Sequence, residues 1–250
     1  MTLPRDVFTS YATIGEALLG QPPQSNDWLA ADERGELVRL RDRGRQSQWL
    51  AGRWLSKRLI AQAAGVADLA DIRILTRDER ARGVRPMVFV GSRPLRGTLS
   101  ISHSDRGVLV ALAATNRFSV GVDLAESVER SEGFRRMWFS ASERRWLAED
   151  VERRMTILWA IKEAVYKAAH TGDTWDPRAI EVAPSVENQF RANYRGQSLD
   201  HAAIDVRDID QHVAAIVVLA SARSPHESLE QADFDLRELP ADSNCFATCP

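Results

Sequence analysis

The chain has 250 residues, of which 44% are hydrophobic and 27% are charged, enough for one sizeable core or two small lobes. Its formal net charge of -2 argues against a surface built for nucleic acid or for an anionic membrane. No stretch approaches the roughly 20 apolar residues that span a bilayer, and the start lacks the pattern of a signal peptide. The only cysteines, Cys245 and Cys249, form neither a disulfide framework nor a zinc site. We therefore expect a cytoplasmic protein with no nucleic-acid or membrane partner.

The first half of the chain predicts a helix followed by strands. Residues 1–26 show no clear pattern, whereas apolar residues at helical spacing predict a long helix over 30–64 that Gly65 would end. A short strand is expected at 72–75, and the glycines and prolines of 78–97 predict a loop. Three more strands are predicted, at 99–104, 108–114 and 118–124.

The second half repeats that order. After a break at 127–133, Ser140 and Glu143 have the spacing of a capping box, which predicts the start of a helix. A stronger helix is predicted over 152–170, with an apolar stripe and a stop at Thr171-Gly172. Strands are then expected at 179–182, 190–194 and 213–220. The two halves lack steady strand–helix alternation, which excludes a doubly wound sheet. They could share one arrangement of helices and strands, although no sequence repeat is visible.

One candidate functional segment is Val120–Ala125. In a strand, alternation sends Val120, Val122 and Leu124 to the core, and places Asp123 on the other face between two small residues. A carboxylate there suits a hard cation such as Mg²⁺. A solvated strand end is the alternative interpretation of the same aspartate.

A second segment lies within the strong helix, at 159–167. Glu163 and Lys167 are four residues apart and share one face, one turn from each other. By itself this spacing is also that of an exposed surface ion pair. Together, however, Asp123 and Glu163 could chelate one magnesium ion, and Lys162 and Lys167 could meet phosphate charge.

These two segments, at 121–124 and 159–167, resemble the signature of the 4'-phosphopantetheinyl transferase superfamily. Three weaker motifs agree in the expected order, at 48–53, 83–86 and 100–104. The length resembles the long, two-lobed members rather than the short trimeric ones. The resemblance covers about residues 48–170.

The resemblance implies an α+β fold of two similar lobes, each a small antiparallel sheet packed with a long helix, with the active site between them. The expected domains are an N-terminal lobe at 1–117, a C-terminal lobe at 118–224 and a loose tail at 225–250. The implied reaction transfers the 4'-phosphopantetheine arm of coenzyme A to a serine of an acyl or peptidyl carrier protein and releases 3',5'-ADP. A monomer is expected, because the two lobes of one chain resemble a dimer.

The resemblance also assigns roles to individual residues. Asp123 and Glu163 would hold Mg²⁺, and Glu163 and Lys167 would be catalytic. The coenzyme A contacts would come from Arg53, Arg85, Pro86, Ser102, His103 and Lys162. Docking of the carrier protein is expected in the variable region between the two main motifs, with Arg135, Arg136, Met137 and Trp138 as candidates.

One position departs from the family pattern. Long members carry a second acid where this chain has Ala125. Strand alternation is expected to point the adjacent Glu126 to the opposite face, so that it cannot take over that role. Two alternatives therefore stay open: a coenzyme A-binding member without catalysis, and another magnesium-dependent enzyme that handles phosphate.

Overall fold

The computed structural model describes residues 3–21, 25–77, 83–148, 150–169, 172, 174–185 and 189–221. The predicted tail at 225–250, with Cys245 and Cys249, lies outside the described residues, as does Thr171 of the predicted helix stop. Within the described ranges, no helix has both the length and the apolar character needed to cross a membrane.

The N-terminal lobe contains, within the described ranges, three helices and six strands in two antiparallel sheets. Its elements are β1 (Val7–Thr13), α1 (Ile14–Leu19), α2 (Ala31–Arg39), α3 (Arg43–Ala64), β2 (Ile72–Arg77), β3 (Gly83–Val90), β4 (Arg93–Pro94), β5 (Thr98–His103) and β6 (Gly107–Ala113).

Two sequence predictions for this lobe were wrong. The single helix over 30–64 is two helices, because Leu40 is extended and the Asp42 side chain caps α3 by accepting from the Arg45 amide. The predicted loop at 78–97 contains β3 and β4, which turn at Gly91 with φ +58°. The predicted stop at Gly65 is confirmed, since this residue ends α3 in the left-handed conformation. Strand β1 and helix α1 were not predicted.

Like the N-terminal lobe, the C-terminal lobe has two three-stranded antiparallel sheets and one long helix within the described ranges. Its elements are β7 (Phe118–Glu126), α4 (Glu132–Trp138), α5 (Ala141–Leu147), α6 (Val151–Ala169), β8 (Ile180–Pro184), β9 (Phe190–Tyr194), β10 (Gln197–Ser198), β11 (Ala203–Ile209) and β12 (His212–Ala220). The capping box at Ser140 and Glu143 is confirmed, whereas α4 and β11 were not predicted.

The two lobes repeat one topology. In the N-terminal lobe the sheets have the orders β1-β6-β5 and β2-β3-β4; in the C-terminal lobe they have the orders β7-β12-β11 and β8-β9-β10. A 3₁₀ turn precedes β2 and another precedes β8, and α3 and α6 are the long helices at equivalent places in the chain order. The α+β fold with two similar lobes is therefore confirmed.

A buried lysine fastens the long helix of each lobe. In the N-terminal lobe, Lys57 of α3 donates to the carbonyls of Trp28 (3.0 Å) and Leu69 (3.1 Å) and pairs with Glu33 at 2.6 Å. The other carboxylate oxygen of Glu33 accepts from the Ile74 amide at 3.2 Å.

The C-terminal lobe contains the same arrangement. Lys162 of α6 donates to the carbonyls of Trp138 (3.1 Å) and Pro177 (3.0 Å) and pairs with Glu143 at 2.9 Å. Glu143 in turn accepts from the Val182 amide at 2.8 Å. The repeated network shows that the lobes are structurally equivalent in detail, although no sequence repeat is visible between them.

The lobes meet along the facing surfaces of their larger sheets. Alternate residues of β6 and β12 pack on the long helix of their own lobe, and the residues between them form a shared apolar cluster. Val120, Val122 and Leu124 of β7 lie in this cluster, as the alternation predicted.

Side-chain hydroxyls join the neighbouring edges of the two sheets. The amides of Val120, Val122 and Leu124 donate to hydroxyl oxygens of β5 at 2.9, 3.0 and 3.2 Å. Those oxygens belong to Thr98, Ser100 and Ser102, which share one face of β5 because they are two residues apart. This seam fixes the position of β7, and therefore of Asp123, against the N-terminal lobe.

Candidate active site

A cavity of about 550 Å³ opens where the seam ends, between the lobes. The end of β5 and the loop after it form the wall from the N-terminal lobe, and β7 and α6 form the opposite wall. Among the described residues of its lining, the acids Asp105, Asp123, Glu126 and Glu163 outnumber the cations Arg130 and Lys167.

Asp123 is held in this cavity from both lobes. Its Oδ1 accepts a hydrogen bond from Ser102 Oγ at 2.9 Å and lies 2.8 Å from Lys167 Nζ. The Lys167 ammonium also donates to the Val122 carbonyl at 3.0 Å. The carboxylate is thereby fixed in direction before any ligand arrives.

Glu163 approaches the same ammonium from α6. Its Oε2 lies 3.6 Å from Lys167 Nζ, so two carboxylates from distant parts of the sequence contact one cation. Burial raises the pKa of Glu163 and the nearby negative charge of Asp123 raises it further, while Lys167 partly opposes both effects. A carboxylate with a raised pKa is a candidate general base.

The close approach of α6 to β7 explains this convergence. Gly121 lies against the helix, where a Cβ atom would overlap the Ala164 carbonyl oxygen and crowd the Ala168 amide. Because glycine has no side chain, the helix can pack directly on the strand and bring Glu163 and Lys167 beside Asp123. The stripe predicted for this helix is confirmed, with Leu158, Ile161 and Val165 buried in the C-terminal core.

A second cavity, of about 460 Å³, adjoins the first and shares His103 and Lys167 with it. Among the described residues that line it, the basic ones outnumber the single acid, Glu36. These basic residues are Arg45, Arg53, Arg77, Arg85, His103 and Lys167. The two cavities thus form a groove that is cation-attracting at one end and anion-attracting at the other.

Arg53 and Arg85 line the second cavity in different environments. Arg53 is buried and donates to Thr76 Oγ1 at 3.0 Å, while its guanidinium stacks on Trp49 with 4.6 Å to the ring centroid. Arg85 donates to Ser119 Oγ, but within the described part of the chain its Nε is buried without a hydrogen-bond partner. Burial lowers the pKa of both arginines, and for Arg53 the nearby carboxylates of Glu36 and Glu33 partly oppose that effect.

His103 lies at the junction of the two cavities. Desolvation lowers its pKa, and the positive charges of Lys167 and Arg45 lower it further. A phosphate group in the groove would oppose that shift, because negative charge favours the protonated imidazole.

The structure brings most of the predicted site residues together. Asp123, Glu163, Lys167, Ser102 and His103 line the first cavity, and Arg53, Arg85, Pro86, His103 and Lys167 line the second.

Lys162 is the exception. Its ammonium is buried in the C-terminal lobe, where Trp138, Pro177 and Glu143 take up its three N–H donors, and it lines neither cavity. Helical spacing explains the difference, since Lys162 precedes Glu163 and therefore points about 100° away from it around α6.

Two groups of cavity residues were not predicted from sequence. Glu126 was expected to face away from Asp123, yet it lines the first cavity, where its Oε1 lies 3.2 Å from His212 Nε2. It does so at the last position of β7, where the side chain can lean over the strand end. Glu36 and Arg45 line the second cavity from α2 and α3, and their polar surroundings in the sequence gave no signal that would single them out.

The donor set of the first cavity fits a hard divalent cation. Asp123 and Glu163 supply carboxylate oxygens, the ligand type that Mg²⁺ prefers, and their mutual repulsion is a cost that a cation would relieve. Among the residues that the structure describes, no three His, Cys, Asp or Glu side chains cluster closely enough to hold an ion together. An ion here would therefore take its remaining ligands from water and from a phosphate-bearing substrate, as Mg²⁺ commonly does.

Comparison with known proteins gives one family. Residues 119–217 match the family model described as the 4'-phosphopantetheinyl transferase superfamily, ACPS. This segment contains Asp123, Glu163 and Lys167, and the match confirms the resemblance predicted from sequence. No curated protein matches the chain.

The solved structures that are similar to part of the chain include three of acyl carrier protein synthases. An ACPS–CoA complex and an apo-ACPS structure from Chronobacterium ammoniagenes are each 22% identical, with a TM-score of 0.35, and the match covers 42% of this chain and 98% of theirs. The Mycobacterium tuberculosis acyl carrier protein synthase is 23% identical with a TM-score of 0.32, and the match covers 42% of this chain and 97% of its own.

Proposed function

Because residues 119–217 match the model of the 4'-phosphopantetheinyl transferase superfamily, we propose that this protein transfers the 4'-phosphopantetheine arm of coenzyme A to a serine hydroxyl of an acyl or peptidyl carrier protein. The supporting observation is that Asp123, Glu163 and Lys167 meet in a cavity that opens into an arginine-rich one. A groove with carboxylates at one end and guanidinium groups at the other suits a donor that carries both a pyrophosphate and a separate phosphate.

In this proposal the groove binds coenzyme A along its length. Arg53, Arg85 and His103 hold the 3'-phosphorylated adenosine end in the second cavity, where planar guanidinium groups suit phosphate oxygens. The pyrophosphate then lies at the junction, within reach of Lys167, and the pantetheine phosphate faces the acids of the first cavity. Pro86 forms part of the wall beside the adenosine end.

The chemical step moves one phosphoryl group. The serine oxygen of the carrier protein bonds to the phosphorus that bears pantetheine, and the bond from that phosphorus to the bridging pyrophosphate oxygen breaks. Glu163 accepts the hydroxyl proton, for which its raised pKa suits it. Lys167 stabilises the negative charge that appears on the leaving 3',5'-ADP.

Asp123 has a positioning role and a charge role in this step. The Asp123 carboxylate orients the Lys167 ammonium. Ser102, from the other lobe, fixes the direction of the Asp123 carboxylate by donating a hydrogen bond to it. With Glu163 it would hold Mg²⁺, whose contribution when bound is to neutralise charge on the pyrophosphate. Since both walls of the cleft come from one chain, we propose that the monomer is the active form.

The experiment is a transfer assay on a panel of apo carrier proteins with coenzyme A and Mg²⁺, read by intact-protein mass spectrometry. We expect modification of at least one carrier, and a loss of about 100-fold or more in Asp123→Ala with the fold retained. Full activity of that variant would overturn the assignment of the site.

Ala125 favours one alternative, a coenzyme A-binding member that does not transfer. Calorimetry would then show coenzyme A binding while every carrier in the panel stays unmodified. Release of nucleotide without any carrier would instead indicate a hydrolase that uses the same carboxylates.

A further inference from the structure

Glu36 of α2 lies in the second cavity among the groups that would bind a phosphate. Its Oε2 is 3.3 Å from Arg53 Nη2 and its Oε1 is 3.5 Å from Arg77 Nε. Thr76 Oγ1 donates to the same carboxylate at 3.2 Å. The side chain is only 17% exposed, so the carboxylate is held in the wall of the cavity and faces basic neighbours.

Arg53 has contacts besides Glu36 that hold it in place. It also donates to Thr76 Oγ1, stacks on Trp49 and lies 3.4 Å from Glu33. Glu33 is fully buried and committed to Lys57 and to backbone amides, so it is part of the fold rather than of the cavity. Glu36 is thus the acid of this network that a ligand can reach.

A carboxylate and a phosphate monoester seek the same donors. Both are oxyanions that accept charge-assisted hydrogen bonds from guanidinium groups. A phosphate that approaches Arg53 and Arg77 must therefore displace the Glu36 carboxylate or tolerate it as a like charge nearby, and either course weakens binding.

We propose that Glu36 is an internal competitor of the 3'-phosphate and sets the affinity of the cavity for 3'-phosphorylated nucleotides. This inference rests on the proposed function, because it takes coenzyme A as the ligand. The donor substrate and the released 3',5'-ADP share the same 3'-phosphate end, so a cavity that bound it without competition would retain the product. Glu36 keeps the exchange of product for substrate fast.

The test compares Glu36→Gln with the wild-type protein by calorimetry, using coenzyme A, dephospho-coenzyme A and 3',5'-ADP. The variant keeps the shape of the side chain and removes its charge. We expect about tenfold tighter binding of the two 3'-phosphorylated ligands, the size of one screened like-charge contact, and little change for dephospho-coenzyme A. In steady-state transfer assays, the inhibition constant of 3',5'-ADP should fall by a similar factor.

Asp32→Asn is the matched control. It removes one negative charge from the same helix, but Asp32 pairs with Arg73 at 3.6 Å and does not line the second cavity. Equal tightening in this control would show a general charge effect and overturn the proposal.

Two further outcomes separate this inference from the proposed function. Unchanged binding of coenzyme A to Glu36→Gln would show that the carboxylate does not compete with the phosphate, and weaker binding would show that Glu36 positions Arg53; either result would overturn the inference alone. If the wild-type protein binds none of the three ligands, both the proposed function and the inference fail.

Discussion

The Asp123 carboxylate and the Lys167 ammonium lie 2.8 Å apart, and the same ammonium is 3.6 Å from Glu163, so that one internal cation separates two acids. Without it the two carboxylates would repel each other in a partly desolvated cavity. Lys167 therefore balances the charge of the two acids, and in the proposed function it also meets the substrate phosphate.

Replacing Lys167 by glutamine should lower transfer by about 100-fold or more, because the leaving phosphate loses its cationic partner. It should also make the protein more sensitive to Mg²⁺. In thermal melts, the variant should gain several degrees from added Mg²⁺ while the wild-type protein gains less, since only the variant lacks an internal counter-charge for its two acids. Equal shifts in both proteins would contradict the role of the ammonium as the internal counter-charge of the two acids.

The local parts of this site could be predicted from the sequence. Strand alternation placed Asp123 opposite the core residues Val120 and Val122, and helical spacing placed Glu163 next to Lys167. Both patterns are periodic and short-range, so they survive in any fold that keeps the strand and the helix.

The tertiary parts could not be predicted. The role of Lys162 depends on Glu143 and on two carbonyls of other elements, which no spacing within α6 reveals. The similarity of the two lobes was expected only from the family resemblance, because it lies in topology and in buried polar contacts rather than in a visible sequence repeat. Glu36 reaches the cavity only because α2 packs beside α3. The sequence analysis predicted these two helices as one, so this contact could not be expected.

Gly121→Ala should disrupt both stability and activity. The added Cβ would overlap the Ala164 carbonyl, so α6 must move away from β7 and carry Glu163 and Lys167 with it. We expect a loss of about 2–3 kcal/mol in the free energy of unfolding, at the upper end for overpacking against a rigid neighbour. Chemical denaturation measures this directly.

Gly35→Ala provides the control. Gly35 lies within α2, and no described atom outside its own helical turn comes within 4 Å of the place where a Cβ atom would lie. Alanine should therefore be neutral there or stabilise the helix by about 0.5–1 kcal/mol. If the two variants unfold at the same denaturant concentration, the direct packing of helix on strand at Gly121 is not a constraint.

The repeated buried pair predicts a larger penalty in the C-terminal lobe than in the N-terminal lobe. Lys162→Met leaves the buried Glu143 without its cation, which typically costs about 3–5 kcal/mol. Lys57→Met should cost less, because Arg53 still lies 3.4 Å from Glu33. Adding Glu33→Gln or Glu143→Gln in the same lobe should recover part of that loss, because the amide oxygen still accepts from the Ile74 or Val182 backbone. Denaturation of the single and double variants gives the coupling energy of each pair.

The Lys162→Met variant also separates structure from binding. Since the Lys162 ammonium reaches neither cavity, coenzyme A affinity measured well below the melting temperature should stay within about twofold of wild type. A loss of coenzyme A affinity in the folded variant would show that Lys162 contacts the ligand after all.

Ser100 and Ser102 distinguish the seam between the lobes from the active site. Each hydroxyl accepts from one amide of β7, so each serine-to-alanine change leaves a buried N–H without its acceptor and should cost about 1–3 kcal/mol. Only Ser102 also donates to Asp123. Transfer activity should therefore fall further in Ser102→Ala than in Ser100→Ala at equal loss of stability. Equal activities of the two variants would show that the Ser102 contact does not orient the Asp123 carboxylate.

Ala125→Glu tests whether the missing acid limits metal binding. Ala125 lies two residues after Asp123 on the same strand, lines the first cavity and packs only partly against the C-terminal core, so a longer side chain can extend into the cavity. A third carboxylate adds a direct negative charge beside Asp123 and Glu163, and the Mg²⁺ concentration for half-maximal activity should fall by about tenfold. Ala125→Gln has the same size without the charge and should leave that concentration unchanged. If both variants behave like the wild-type protein, water and substrate phosphate already complete the coordination, and position 125 does not set the metal requirement.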